Sequence, residues 1–224
     1  MKNKKLFIFS IIIICLILIT FLIKNNYNFS KKGNNMSNKS ADEIKEYILN
    51  IESYQAIAEV TIKSNKNENT YIVEQRYNRE NNMYRQEVLE PENIKGVQFI
   101  YDGTNLKVEN TKLNLNKIYT NYNYIESNEL GLASFIEDYK QSNEAKCIEK
   151  NGKVILETDI KKANKYVANK KLYIDKEEGT IEKLEINDTA QNTRIYILYN
   201  KIEINTLSKE EVLAFSLKPL EQDI

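Results

Sequence analysis

The chain contains no histidine and no tryptophan, and has only two cysteines, two prolines and six glycines among its 224 residues. Without histidine there is no Ser-His-Asp or Cys-His nucleophile pair, no HExxH zinc site and no imidazole pH switch. Cys15 lies inside a hydrophobic run, so pairing with Cys147 is geometrically excluded and no disulfide framework is expected. Cys147 reads as a small apolar strand residue, because a neighbouring Lys146 alone activates a thiol weakly. What remains is 42% hydrophobic and 29% charged, with fifteen tyrosines, a composition suited to a folded domain.

The formal charge of zero conceals an asymmetry. Residues 1–35 carry six lysines and no acid; of the 32 basic residues 26 then remain against 32 acids, a net of −6. A mildly acidic domain on a basic stalk excludes nucleic acid as the expected partner. Leu6–Ile23 is an unbroken apolar or neutral run of about 27 Å as a helix, enough to cross a hydrocarbon core. Lysines before it and no small-residue cleavage site after it predict a membrane anchor over 1–23 with the remainder outside the cytoplasm. A lipidated Cys15 is the alternative, with Ile14 in the place of the usual small residue. Residues 24–39 read as a flexible tether and 40–224 as one domain.

Within that domain, Ser40 and Glu43 have capping-box spacing, and Ile44, Tyr47, Ile48 and Ile51 follow at helical spacing, predicting a helix over 41–51. The period then changes to two. Ala56, Ala58, Val60 and Ile62 share one face, as do Tyr71, Val73, Gln75 and Tyr77, then Tyr84, Gln86 and Val88. Val97–Tyr101 ends at Asp102-Gly103, a hairpin signal, with Asp102 setting the turn; Leu106 starts the return strand. Ser127 is placed to cap a helix carrying Leu130, Ala133, Ile136 and Tyr139. Further strands follow at 147–149, 154–160, 166–175, 180–186 and 194–205, two of them joined across Asn151-Gly152 and two across Glu178-Gly179, with a closing helical turn near 208–215. Ten or so short strands joined by tight turns predict a mainly β (α+β) fold: a curled antiparallel sheet wrapped over two helices.

The segment MYRQEVLEPENIKGVQFIYDGTNLKVEN has an aromatic-Arg pair, Glu-Pro, a connector, a strand ending in Asp-Gly and a return strand. This pattern resembles the LolA/LolB lipoprotein-carrier superfamily, and YRQEVLEPENIKG with the anchored layout is similar to clostridial GerS-type germination lipoproteins. The resemblance implies an unclosed β-barrel. It further implies a non-catalytic partner of a spore-cortex amidase of the CwlD type or, as the alternative, a lipid- or lipoprotein-binding carrier.

No catalytic residue, cofactor or metal is expected. Glu74, Glu87, Glu90, Glu92 and Glu109 read as solvated strand carboxylates. Arg76 and Arg85, on the outward register, read as members of surface ion pairs with Glu74 or Glu87, worth about 0–1 kcal/mol. The candidate partner-binding residues are Arg85, Tyr119, Tyr122 and Tyr124, the tyrosines supplying large contact area at low entropic cost or packing over the open end of the sheet. An open sheet edge also allows a homodimer by strand exchange.

Overall fold

The computed structural model describes residues 36–124, 128–161 and 163–213; the anchor, the tether as far as residue 35 and the cap expected at Ser127 lie outside them. No described helix is long and apolar enough to cross a membrane. The chain is already folded at Met36, which is fully buried in the core although it falls in the stretch read as tether.

Helix α1 (Ala41–Leu49) begins as its sequence requires. The Glu43 carboxylate accepts from the Ser40 N–H at 2.8 Å, and the Ser40 hydroxyl accepts from the Glu43 N–H at 3.3 Å. Ile44 and Ile48, one turn apart, are fully buried. Six strands follow: β1 (Ser53–Lys63), β2 (Glu68–Asn78), β3 (Met83–Glu90), β4 (Gln98–Tyr101), β5 (Leu106–Asn110) and β6 (Leu115–Tyr119). After α2 (Leu132–Gln141) come β7 (Lys146–Lys150), β8 (Lys153–Asp159), β9 (Asn169–Asp175), β10 (Thr180–Asn187) and β11 (Thr193–Ile204), and then the short α3 (Lys209–Leu213).

All eleven strands form one antiparallel sheet in the order β6-β5-β4-β3-β2-β1-β11-β10-β9-β8-β7. The two meanders join where the first strand pairs with the last, and β6 and β7 become the two edges of an unclosed sheet. Bulges at Ile57/Ala58, Ile72/Val73, Ile181/Lys183 and Ile186/Asn187 shift the registers. Each such extra residue bends its strand and increases the local twist.

Period-two alternation places Tyr54, Ala56, Ala58 and Val60 of β1, Leu172 and Ile174 of β9, and Leu184 and Ile186 of β10 on the covered face. Helix α2 contributes Leu132, Phe135 and Ile136 to the same core. Each fully buried aliphatic side chain contributes about 1.5–3 kcal/mol. The two helices expected on this face are there. Helix α2 starts four residues later than read, at an N-cap glycine, Gly131, with no side-chain cap. Helix α3 packs instead over β2 and β3 from the opposite face, with Val212 buried beneath it.

Candidate functional site

Among the described residues strand β6 pairs only with β5, which makes it an edge of the sheet. Such an edge is a template for another strand unless charge or a bulge blunts it. Along it lie Leu113 (49% exposed), Ile118 (63%), Tyr119 (44%) and Tyr122 (38%). These are four of the six large hydrophobic side chains exposed among the described residues. Ile118, Tyr119 and Tyr122 gather at one end of β6, with Tyr119 and Tyr122 in ring contact, while Leu113 lies in the turn at the other end beyond exposed Asn116 and Lys117. Tyr119 sits opposite the buried Leu106 and therefore points to the covered side of the sheet; Ile118, one residue back, points to the other. The patch thus wraps the edge. The Tyr122 N–H donates to the Thr104 carbonyl at 2.9 Å, fixing this stretch against the β4–β5 hairpin.

The patch continues inward as a row of tyrosines. Ladder pairing sets Tyr54 opposite Tyr77, Tyr77 opposite Tyr84, Tyr84 opposite Tyr101, Tyr101 opposite Leu106 and Leu106 opposite Tyr119. Tyr124 lies over this row, its ring centroid 5.4 Å from Tyr84 and 5.8 Å from Tyr101. Tyr122 is 6.3 Å from Tyr124 and 5.9 Å from Tyr119. These are the separations at which tilted rings attract. Burial pushes the phenols of Tyr54, Tyr84 and Tyr124 upward, so they are neutral hydrogen-bonding groups rather than acids or bases. The three candidate tyrosines therefore divide: Tyr119 and Tyr122 are surface, while Tyr124 is core.

Arg85 is placed differently from its sequence reading. It faces outward from the core as expected, yet only 4% of it is exposed. Arg76 lies directly across the β2–β3 ladder from it, and the Arg76 guanidinium donates to the Glu211 carbonyl of α3 at 3.1 Å. The expected pairings hold: Arg76 donates to Glu74 at 2.7 and 3.0 Å, and Arg85 to Glu87 at 3.2 Å. Glu74 is itself buried and accepts from Gln55 at 2.9 Å. The Arg76–Glu74 pair is covered on the face where α3 packs, whereas Glu87, the partner of Arg85, keeps 23% of its side chain exposed. Burial draws the Arg85 guanidinium down, opposed by the charge of Glu87.

One pair has the outline of a nucleophile and a base. The Lys170 ammonium lies 2.8 Å from the Ser134 hydroxyl, both inside the core. The lysine is the donor in that bond and donates to Asp138 at 2.8 Å, while the Glu129 carboxylate lies 2.9 Å away as an ion pair without hydrogen-bond geometry. An ammonium that already donates to the hydroxyl and to a carboxylate has no lone pair to take the hydroxyl proton, so the group acts as a clamp between β9 and α2. Cys147 is half-buried with its Sγ 3.7 Å from the Ala41 carbonyl, and burial raises its pKa, the direction that makes a thiol inert. Among the described residues no group of three or more Cys, Asp and Glu is placed to hold a metal ion.

The family model described as sporulation protein YdcC-like matches residues 3–213 of this sequence. The chain belongs to the YdcC-like sporulation protein family. No individually curated protein matches it significantly. Among solved structures, a chain from the CwlD amidase of Clostridioides difficile in complex with the GerS lipoprotein is 28% identical. That alignment covers 72% of this chain and 92% of the other, at a TM-score of 0.48. An uncharacterized conserved protein from Thermus thermophilus is 12% identical over 82% of this chain and 96% of its own, TM-score 0.49. A LolA superfamily protein from Nitrosomonas europaea is 15% identical over 79% and 98%, TM-score 0.43. These likenesses in fold are partial.

In this YdcC-like protein, the edge strand itself is what sequence reasoning missed. No strand is assigned to residues 115–119 from the sequence, and neither Ile118 nor Leu113 is singled out there. An edge strand with both faces largely exposed has no alternation to display. The available signal was the adjacent Ile118-Tyr119 pair, both strand formers, following the turn residue Asn114 with its φ of 50°.

Proposed function

We propose that this chain is a non-catalytic, membrane-tethered binding protein of sporulating cells that docks a cell-wall amidase of the CwlD type through the β6 edge. The observation that carries the reading is the apolar and aromatic cluster of Ile118, Tyr119 and Tyr122 on an edge strand, with exposed Leu113 at the strand's other end. Membership of a sporulation family and the GerS-like run within residues 83–109 support the partner class. The anchor expected over residues 1–23 supports a location at the outer side of the membrane. Tyr119 and Tyr122 make the contact in this reading, Tyr124 braces them from beneath, and Arg85 stays buried.

The test is a binding titration of the full chain in mild detergent against a purified CwlD-type amidase from the same organism. Replacing Ile118 by Asp together with Tyr119 by Ser weakens binding at least about tenfold and leaves the unfolding midpoint unchanged. No binding by the unaltered chain, or equal binding by the double variant, rejects the reading. Sizing of the free protein distinguishes partner docking from pairing of two copies through the same edge.

A further inference from the structure

At the centre of the covered face, β1 presents two alanines, Ala56 and Ala58, in place of the larger residues around them. Gln75 is opposite Ala56 and Tyr199 is opposite Ala58, with Tyr54 next along the same face of β1. The N-terminus of α2 forms the roof, held by the Gln75 amide, which donates to the Leu130 carbonyl at 3.1 Å. Gly131 leaves this end without a side-chain cap. A methyl group there would meet the Asn128 Nδ2 at 3.2 Å and the Tyr54 hydroxyl at 3.7 Å, so both atoms converge on one spot.

Four polar atoms around this point find no hydrogen-bond partner among the described residues: Tyr54 Oη, Tyr199 Oη, Gln75 Oε1 and Asn128 Nδ2. Tyr54 and Gln75 are fully buried, and Tyr199 and Asn128 are more than nine-tenths buried. The backbone N–H groups of Leu132 and Ala133 approach the Tyr54 oxygen, and the Asn128 amide approaches that of Tyr84, without reaching hydrogen-bond geometry. Native structures leave only a few such groups without partners, and four near one helix end call for partners that the protein itself does not supply.

The set has donors and acceptors but no free charge, since the nearby Lys170 is engaged with Asp138 and Glu129. An anion at this depth would lack a counter-charge, and an acyl chain would leave all four atoms unpaired. Water meets both demands, because buried water characteristically makes two to four bonds to such groups. We propose that the buried polar atoms of Tyr54, Gln75, Asn128 and Tyr199 at the N-terminus of α2 form a binding site for ordered water. This water caps the N-terminus of α2 and joins it to β1, β2 and β11. This part of the interior is consequently selective against hydrocarbon.

Two measurements test this, neither needing a partner protein. A crystal structure at high resolution is expected to show water within hydrogen-bond distance of Tyr54 Oη and Asn128 Nδ2; a dry site overturns the proposal. Thermal unfolding of Tyr54→Phe and Tyr199→Phe provides the second. Deleting a hydroxyl that is bonded to water lowers the Tm, by about 2–4 °C for a domain of this size. Deleting one that is buried and unsatisfied raises it, and a rise in both variants overturns the proposal.

Discussion

The ammonium of Lys170, on β9, lies 2.8 Å from the carboxylate of Asp138, on α2, with the lysine wholly removed from solvent. Helix α2 connects one edge of the sheet to the other, so this pair, together with Glu129 and Ser134, fixes the crossing segment to the second meander. Lys170→Met leaves two carboxylates facing each other without their cation. The expected loss is about 3–5 kcal/mol in urea unfolding. A triple variant that also replaces Asp138 and Glu129 by Leu recovers part of it, because an apolar replacement removes the desolvation cost along with the attraction. No recovery would mean that the lysine acts through its packing instead.

The split among the candidate tyrosines has a direct consequence for stability. Tyr124→Ala removes a ring that touches Tyr84, Tyr101 and Tyr122 and opens a cavity, costing about 3 kcal/mol or more. Tyr119→Ala, at an exposed edge, changes stability by no more than about 0.5 kcal/mol. Chemical denaturation of the two variants side by side checks the contrast. Equal losses would show that the edge tyrosines are part of the core.

Two hairpin glycines with positive φ differ in their surroundings. At Gly103 (φ 96°) a Cβ would stand 2.8 Å from the Asn81 carbonyl oxygen, which belongs to backbone and cannot swing away. At Gly152 (φ 73°) nothing lies within 4 Å. Gly103→Ala should therefore cost about 1–3 kcal/mol, whereas Gly152→Ala carries only the left-handed backbone penalty of about 1 kcal/mol. Paired unfolding curves would reveal the difference, and a milder effect at 103 than at 152 contradicts the geometry.

Acid acts on the first helix. The Ser40 N–H and then its hydroxyl hold the Glu43 carboxyl below its ordinary value of 4.5. A carboxylate with a depressed folded pKa contributes stability that is complete above its unfolded pKa and is lost as pH falls through the folded value. The unfolding midpoint should thus decline below roughly pH 4.5, and part of that decline should vanish in Ser40→Ala, which also costs about 1 kcal/mol as a lost cap. Identical pH profiles for the two proteins would dissociate Glu43 from the cap.

Much of the architecture was legible because buried strands display their alternation. Val60, Val73 and Val88 could be assigned a face from spacing alone, and the Asp102-Gly103 and Asn151-Gly152 pairs marked turns because glycine there takes positive φ. The Ser40–Glu43 box was legible since its partners are three residues apart. Strand β6 was not, because exposure on both faces erases the pattern. The burial of Arg76 and Glu74 was hidden for a different reason: α3, more than a hundred residues away, packs on the outer face and accepts a hydrogen bond from Arg76.

The sequence alone determined the class of fold, the order of the buried strands and the helices, and the absence of imidazole chemistry, since these rest on local periodicity, turn residues and composition. Only the tertiary structure decided that the first and last strands meet at the centre, which leaves β6 as an edge and gathers Ile118, Tyr119 and Tyr122 into a surface. It also brought Tyr54, Gln75, Asn128 and Tyr199 together around one buried point. Those juxtapositions depend on long-range pairing and on which surfaces bury one another, and no window of neighbouring residues carries that information.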